Sequence, residues 1–549
     1  MAIEEEAPVP LYRPARALPF ELIEHSGIFF EEKLYTQALK LLLNILTSGT
    51  VASAPAYIPT PPQLAVAATF LVHPSTTTRA KTTEEKDAAA AALRLLRLTN
   101  TLIGSKSAKF DLAFSFTHFE SSRRGGRRRA DDEAVPSETD ETRPLNLDLG
   151  QSASIWSRAE DFWHAVGWAF NCSVLHPERW ERWQIWLQFM CEVLEDDWNE
   201  RKREFDRSNP AEEENPKSRK RGYEHPLEKS LIFRYIAGGS AGYGRDRRIL
   251  RAIFADGTAT STNEFREVFH NELKRLKNDN QNIKKREVEV NIDEGEYGDY
   301  LANDEDESDE PDTAAKRPAR RPKRTRKGTR SGDPSADAEV NVPFTSHANG
   351  DVSLLGGLKS LALRQRLLHL LSDVSESLPQ SFTTLEEIYH LFVENIRHLP
   401  LPIFQAFVSP SVLPHFSAAA QTTLCEFLLF RMRENAAPDT DEQYLNQTKL
   451  EQCFLPYAAS TASVVDNTKM SIVLESLVIL LADSDLLRVT PLLKTAVQDG
   501  IIARADKAQV ENRRNQNSRR AEDIEWCWLL ESGERLMFLV DEVLPQEDG

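Results

Sequence analysis

The chain has 549 residues, of which 28% are charged and 40% hydrophobic, and its formal net charge is −18 at pH 7. Its length accommodates about two to four domains. An acidic balance of this size excludes a protein that coats nucleic acid along its whole surface, and leaves only local basic patches for such contact.

The five cysteines, Cys172, Cys191, Cys425, Cys453 and Cys527, are far apart, odd in number and without a CxxC pair. That pattern speaks against a disulfide framework or a structural zinc site and fits a reducing compartment. The opening MAIEEEAPVP is acidic and has no apolar centre, so it does not read as a secretory signal. The richest apolar stretch, Ile472 to Ala482, is interrupted by Glu475 and is too short to span a bilayer.

In chain order, Pro19 to Thr47 predicts two helical stretches, with Phe29, Leu34, Ala38, Leu41, Leu42 and Ile45 on one face. Gly49 and the proline-rich AYIPTPP close them, and Thr82 to Leu102 predicts another helix. Two polar insertions follow, at 121–145 with Arg123, Arg124, Arg127, Arg128 and Arg129, and at 207–228 with Lys217, Arg219, Lys220 and Arg221.

Between these insertions, at 155–205, the chain is tryptophan-rich: seven of the nine tryptophans fall from Trp156 to Trp198. Ile155 to Asn171 predicts one helix. Pro177 suits the first turn of a second, in which Trp180, Trp183, Leu187, Met190, Leu194 and Trp198 recur at helical spacing. The two form an antiparallel hairpin at the centre of the first lobe. A buried core is the plainer reading of the tryptophans. The alternative gives an exposed subset of Trp156, Trp163, Trp180, Trp183 and Trp186 to a protein partner, since aromatic anchors dominate interface hot spots. His164 reads as a hydrogen-bonding core residue rather than a ligand.

Leu231 to Ala237 is undecided between strand and helix. Gly238-Gly239-Ser240-Ala241-Gly242 matches the G-x-S-x-G of a hydrolase elbow, which requires a strand before it and a sheet around it. No alternation of strands and helices surrounds it, and the reading here is an interhelical turn. Helices are expected over Arg247–Phe254 and Asn263–Leu276.

Residues 291–345 are the most distinctive segment. From Asp293 to Asp312, 11 of 20 residues are acidic; from Lys316 to Arg330, 9 of 15 are basic. Such a segment cannot bury enough apolar surface to offset its ordering entropy, so a disordered acidic-then-basic linker is expected. Lys323-Arg324-Thr325-Arg326, with Lys316 and Arg317 upstream and Lys327 beside it, fits a nuclear import signal. The same residues suit weak, salt-sensitive contact with DNA or RNA.

The C-terminal lobe, 346–549, predicts a helix from Leu354 ending before Pro379 and a capping box at Thr383 with Glu386 or Thr384 with Glu387. Further helices are expected at Ser417–Arg433, Met470–Leu481, Leu486–Val497 and Ile524–Val543. Arg513, Arg514, Arg519 and Arg520 read as a solvated face.

The fold class is therefore all-α, with an N-terminal helical lobe (1–290), the linker and a C-terminal helical lobe, each an irregular bundle or solenoid. No catalytic, cofactor-binding or metal-ligating constellation stands out. The expected function is a nuclear scaffold or adaptor subunit, chromatin- or genome-maintenance-associated, that binds other protein subunits and an import receptor and no membrane. Direct nucleic-acid binding through the basic segments is the alternative, and a hydrolase using Ser240 the minor one.

Overall fold

Nineteen α-helices run in order through the described residues, with a single pair of three-residue strands beside them. The computed structural model describes residues 12–50, 54–117, 145–208, 225–238, 244–274, 355–410, 416–438, 444–512 and 519–544. The insertion arginines, Ser240 and the whole 291–345 linker lie outside these residues, as do Arg513 and Arg514.

The N-terminal lobe begins with β1 (Ala15–Ala17), α1 (Phe20–Glu31) and α2 (Tyr35–Thr47). β1 pairs in parallel with β2 (Ala56–Ile58). The proline-rich stretch that sequence reads only as a terminator instead starts α3 (Pro61–Phe70). Its prolines occupy the first helical positions, where no N–H is needed, and Thr60 and Gln63 form a capping box. Thr82 and Glu85 make the same box at the head of α4 (Thr83–Ile103).

The short α5 (Phe110–Ala113) leads to α6 (Ile155–Arg158) and α7 (Phe162–Leu175). The single helix expected over Ile155–Asn171 is thus two. The break is made by Asp161, whose side chain accepts the His164 N–H at 2.7 Å and caps α7. α8 (Pro177–Ser208) starts at the expected proline and packs against α7, completing the hairpin. Leu231–Ala237 is helix α9, followed by α10 (Arg245–Ile253) and α11 (Ala259–Glu264). The helix expected over Asn263–Leu276 is not formed. Asn263 and Glu264 instead close α11, and 265–274 is irregular chain bonded to Trp168 and Asn171 of α7 and to Arg179 and Trp183 of α8.

The C-terminal lobe holds α12 (Leu358–Ser377), α13 (Leu385–Ile396), α14 (Leu401–Val408), α15 (Ala418–Met432), α16 (Gln447–Cys453), α17 (Val464–Asp483), α18 (Pro491–Asn512) and α19 (Arg519–Phe538). Of the two capping boxes expected before α13, the Thr384–Glu387 one forms. The apolar run in α17 is core: the helix packs on α14, α15, α18 and α19. Among the described residues no helix is long and apolar enough to cross a membrane.

One continuous cluster of buried side chains extends from Leu18 to Val540, so the two lobes share a core. Arg364 of α12 bolts them together. It is fully buried, lies over the Phe170 ring of α7 at 4.0 Å, donates to Ile253 O and to Ala255 O (2.9 Å), and donates Nε to Ser360 Oγ at 3.2 Å. Its two carbonyl acceptors lie at the C-terminal end of α10, where a cation meets the negative end of the helix dipole. A bidentate pair between Arg366 and Glu195 of α8 adds a second tie (2.6 Å for Nη2 to Oε2).

Candidate functional site

The tryptophan-rich hairpin is organised by a buried carboxylate. Glu272 is 2% exposed and sits in a turn in which Asn271 adopts φ +51°. Its Oε1 accepts Arg179 Nε (2.8 Å), Arg179 Nη2 (2.5 Å) and Trp183 Nε1 (2.7 Å); its Oε2 accepts Trp168 Nε1 (3.0 Å) and the Phe269 N–H (3.3 Å). Arg179, 3% exposed, also donates to Val72 O at 2.6 Å and Thr77 Oγ1 at 3.0 Å. A charge taken out of water is tolerated only when paired and hydrogen-bonded, and here α7, α8, Phe269 and the 72–77 segment supply the partners.

This hub fixes where the chain leaves for the charged linker, three residues before Arg275. The preceding stretch is held to the same helix. Asn171 of α7 accepts from Gly257 N (3.0 Å) and Ser261 Oγ (2.7 Å) and donates to Phe265 O (3.2 Å). Gly167 must lack a side chain, since a Cβ there would meet Phe265 Cγ at 2.3 Å. His164 Nε2 lies 3.1 Å from Arg266 O while its Nδ1 accepts the Glu160 N–H at 3.1 Å. Burial lowers the His164 pKa, which favours this neutral ring.

The chain returns from the linker onto the same helix. Gly356 (φ +80°) passes so close to α7 that a Cβ would meet Ser173 Oγ at 2.3 Å, and Ser360 Oγ is 3.3 Å from Ser173 Oγ. The described chain therefore meets α7 at Trp168 shortly before residue 275 and at Ser173 shortly after residue 354. Five residues of helix separate those two positions, about 7.5 Å along the axis.

A polar cleft of about 580 Å³ opens where α10 meets α13 and the end of α15. Arg247 pairs with Glu394 across it at 3.5 Å. Glu387 is held by Thr383 Oγ1 (2.9 Å) and the Thr384 N–H (3.3 Å), bonds that keep its carboxyl below the usual range. Arg397 and Arg431 complete the wall. The cleft offers charges of both signs to a polar surface. Among the described residues no cluster of His, Cys, Asp and Glu suited to a metal ion is present.

The alternative that an exposed subset of five tryptophans serves a partner is corrected, and the core reading of them stands. Trp156, Trp163, Trp180, Trp183 and Trp186 are all buried, at 8% exposure or less. Three also spend their N–H groups inside: Trp156 on Ala65 O (3.0 Å), Trp163 on Tyr235 O (3.0 Å) and Trp183 on Glu272. The physical reason is that α4, α9, α10, α12 and the 257–272 stretch pack on the hairpin, which periodicity within the hairpin cannot reveal. Lys316, Arg317, Lys323, Arg324, Arg326 and Lys327 lie outside the described residues. Ser240 lies outside the described residues, and the segment before it, Leu231–Ala237, is a helix and not the strand a nucleophile elbow requires. The hub residues Glu272 and Arg179 were missed, because a charged pair separated by 93 residues leaves no local signal.

No family model, curated protein or solved structure matches this chain.

Proposed function

We propose that this chain is a nuclear helical scaffold, an adaptor subunit that binds other proteins and presents its charged linker to them. The observation that carries this reading is the double clamp on α7. A buried ion-pair hub at Glu272, before the acidic-then-basic stretch in the sequence, and a glycine pressed on Ser173, after it, both meet α7. An arrangement of this kind supports display of a segment, with the body serving to position it.

The composition of that segment supports nuclear import through Lys316, Arg317, Lys323, Arg324, Arg326 and Lys327, and a chromatin-associated assembly is the setting that suits it. Protein contact is supported by the last two helices. Leu492, Ile502 and Val510 of α18, with Ile524, Leu530 and Phe538 of α19, are large apolar side chains at least half exposed.

The test is the tagged full-length chain with those six basic residues changed to alanine. The reading expects the variant to leave the nucleus while its circular dichroism and melting stay those of the parent. Unchanged nuclear accumulation refutes the import role. Salt-sensitive binding of DNA by the parent, lost in the variant, with no protein partner recovered, moves direct nucleic-acid binding to first place.

A further inference from the structure

β1 forms an open edge of the two-stranded sheet. The Ala56 N–H donates to Pro14 O at 2.8 Å, and Ala15, Arg16 and Ala17 stand opposite Ala56, Tyr57 and Ile58. Alternate residues of a parallel pair bond to the same neighbour, so Arg16 turns its N–H and C=O to β2, whereas Arg13, Ala15 and Ala17 turn theirs to the other side. On that side the Arg13 N–H is satisfied, donating to Leu102 O at 2.8 Å near the end of α4. Gly104 (φ +82°) then turns the chain out of α4 against the Tyr12 ring, which a Cβ there would meet at 2.7 Å. Beyond this point the edge is bare. Among the described residues no hydrogen bond is made by the N–H or C=O of Ala15 or Ala17, and both residues are exposed.

A cavity of about 420 Å³ lies beside this edge. Ala15, Ala17, Ile58 and Pro59 form one side of it, and Lys106 to Lys109 form the other. Those four residues follow α4, whose Leu102 carbonyl meets Arg13, so the cavity opens on the unpaired side of β1. Lys106 and Lys109 are exposed, and among the described residues no acidic side chain lines the cavity. Lys106 also pairs with Glu204 at 2.6 Å, outside the lining.

We propose that this edge is a peptide-docking site. An extended segment of a partner protein adds a third strand, bonding to the N–H and C=O of Ala15 and of Ala17, with an acidic side chain toward Lys106 and Lys109. The unpaired groups recur at every second residue, which is the repeat of an extended backbone and not of a helix. Alanine at both positions lets a second backbone approach closely. The two lysines favour an acidic segment over a basic one. A bare edge of three residues is by itself an ordinary solvated strand; the 106–109 wall makes it a groove. The groove is separate from the exposed side chains of α18 and α19, and its test is independent of the nuclear reading.

The experiment is selection of a random peptide library displayed on phage against the full-length chain, with the retained sequences remade as fluorescent peptides for anisotropy titration. Retained peptides are expected to carry an acidic residue. Methylating their backbone nitrogens one at a time should abolish binding at alternate positions only, because alternate amides face β1. Ala17→Pro removes one outward N–H and should weaken binding at least about tenfold. Its melting curve should hold, since proline is tolerated on an edge strand where the lost N–H faced solvent. Lys109→Asn, which suits the left-handed backbone there (φ +55°), should weaken binding at most about fivefold. The methylation pattern is read on the parent chain and does not depend on how the variants fold. Failure to retain any peptide, methylation sensitivity without alternation, or full binding by folded Ala17→Pro overturns the proposal. Self-association of the chain that Ala17→Pro abolishes gives the edge to a second copy and overturns it as well.

Discussion

Replacing Glu272 by methionine strands a guanidinium that is 3% exposed and removes the acceptor of two indole N–H groups, those of Trp168 and Trp183. Deleting one partner of a buried ion pair costs about 3–5 kcal/mol, and each orphaned indole adds about 1–3 kcal/mol. Arg179 keeps Val72 O and Thr77 Oγ1, so the net loss is set near the lower sum, about 5 kcal/mol. The double variant Arg179→Met/Glu272→Met removes both ions and leaves unpaired the same indole and Phe269 N–H groups that Glu272→Met alone orphans, together with the Val72 carbonyl that Arg179 held. It should cost about 2–3 kcal/mol, less than Glu272→Met alone. The cycle then gives a coupling of at least about 2 kcal/mol. Urea unfolding followed by tryptophan emission reads it, since two tryptophans belong to the hub. Additivity of the single changes within about 0.5 kcal/mol refutes the reasoning.

Three other outcomes follow from particular side chains. Arg364→Met should lose the guanidinium's contact with the Phe170 ring and leave the Ile253 and Ala255 carbonyls unpaired, with a loss of about 2–4 kcal/mol in the same assay. Burial and neighbouring arginines push the His73 pKa down to about 3, while its Nδ1 accepts the Ser75 N–H at 3.2 Å. The unfolded chain, with a histidine pKa of about 6.5, takes up a proton over that interval that the folded chain refuses. Stability should therefore fall as pH drops from about 6.5 toward about 3, and His73→Gln should flatten that limb; an unchanged slope counts against it. Cys191 and Cys425 are buried with thiols pushed up to about 12, burial also raises the Cys172 thiol well above its ordinary value, Cys453 is buried, and Cys527 is exposed. Native protein treated with a maleimide should gain one label, at Cys527, by intact mass; two or more labels contradict the packing.

The helices that sequence periodicity finds are those with a strong stripe and a local cap, such as α4, with Thr82 and Glu85, and α8, which begins at Pro177. α3 escapes notice because its prolines look like a break, although at the first turn they are compatible with a helix. The break at Asp161 escapes because a cap inside an apolar run is visible only once its hydrogen bond to His164 is seen. The identity of the tryptophans as core rather than surface depends on distant segments, Glu272 above all, whose pairing with Arg179 spans 93 residues. The charged linker is conspicuous in the sequence, but that the described residues on either side of it meet α7 rests on Glu272 with Trp168 and on Gly356 with Ser173, which no pattern links.

The measurement closest to the central claim is affinity purification of the tagged chain from its native cells, with nuclease treatment, followed by mass spectrometry. The scaffold reading predicts a stoichiometric set of nuclear proteins that survives nuclease and is lost when the exposed apolar residues of α18 and α19 are made acidic. Recovery of the chain alone, or only in company that nuclease removes, contradicts it.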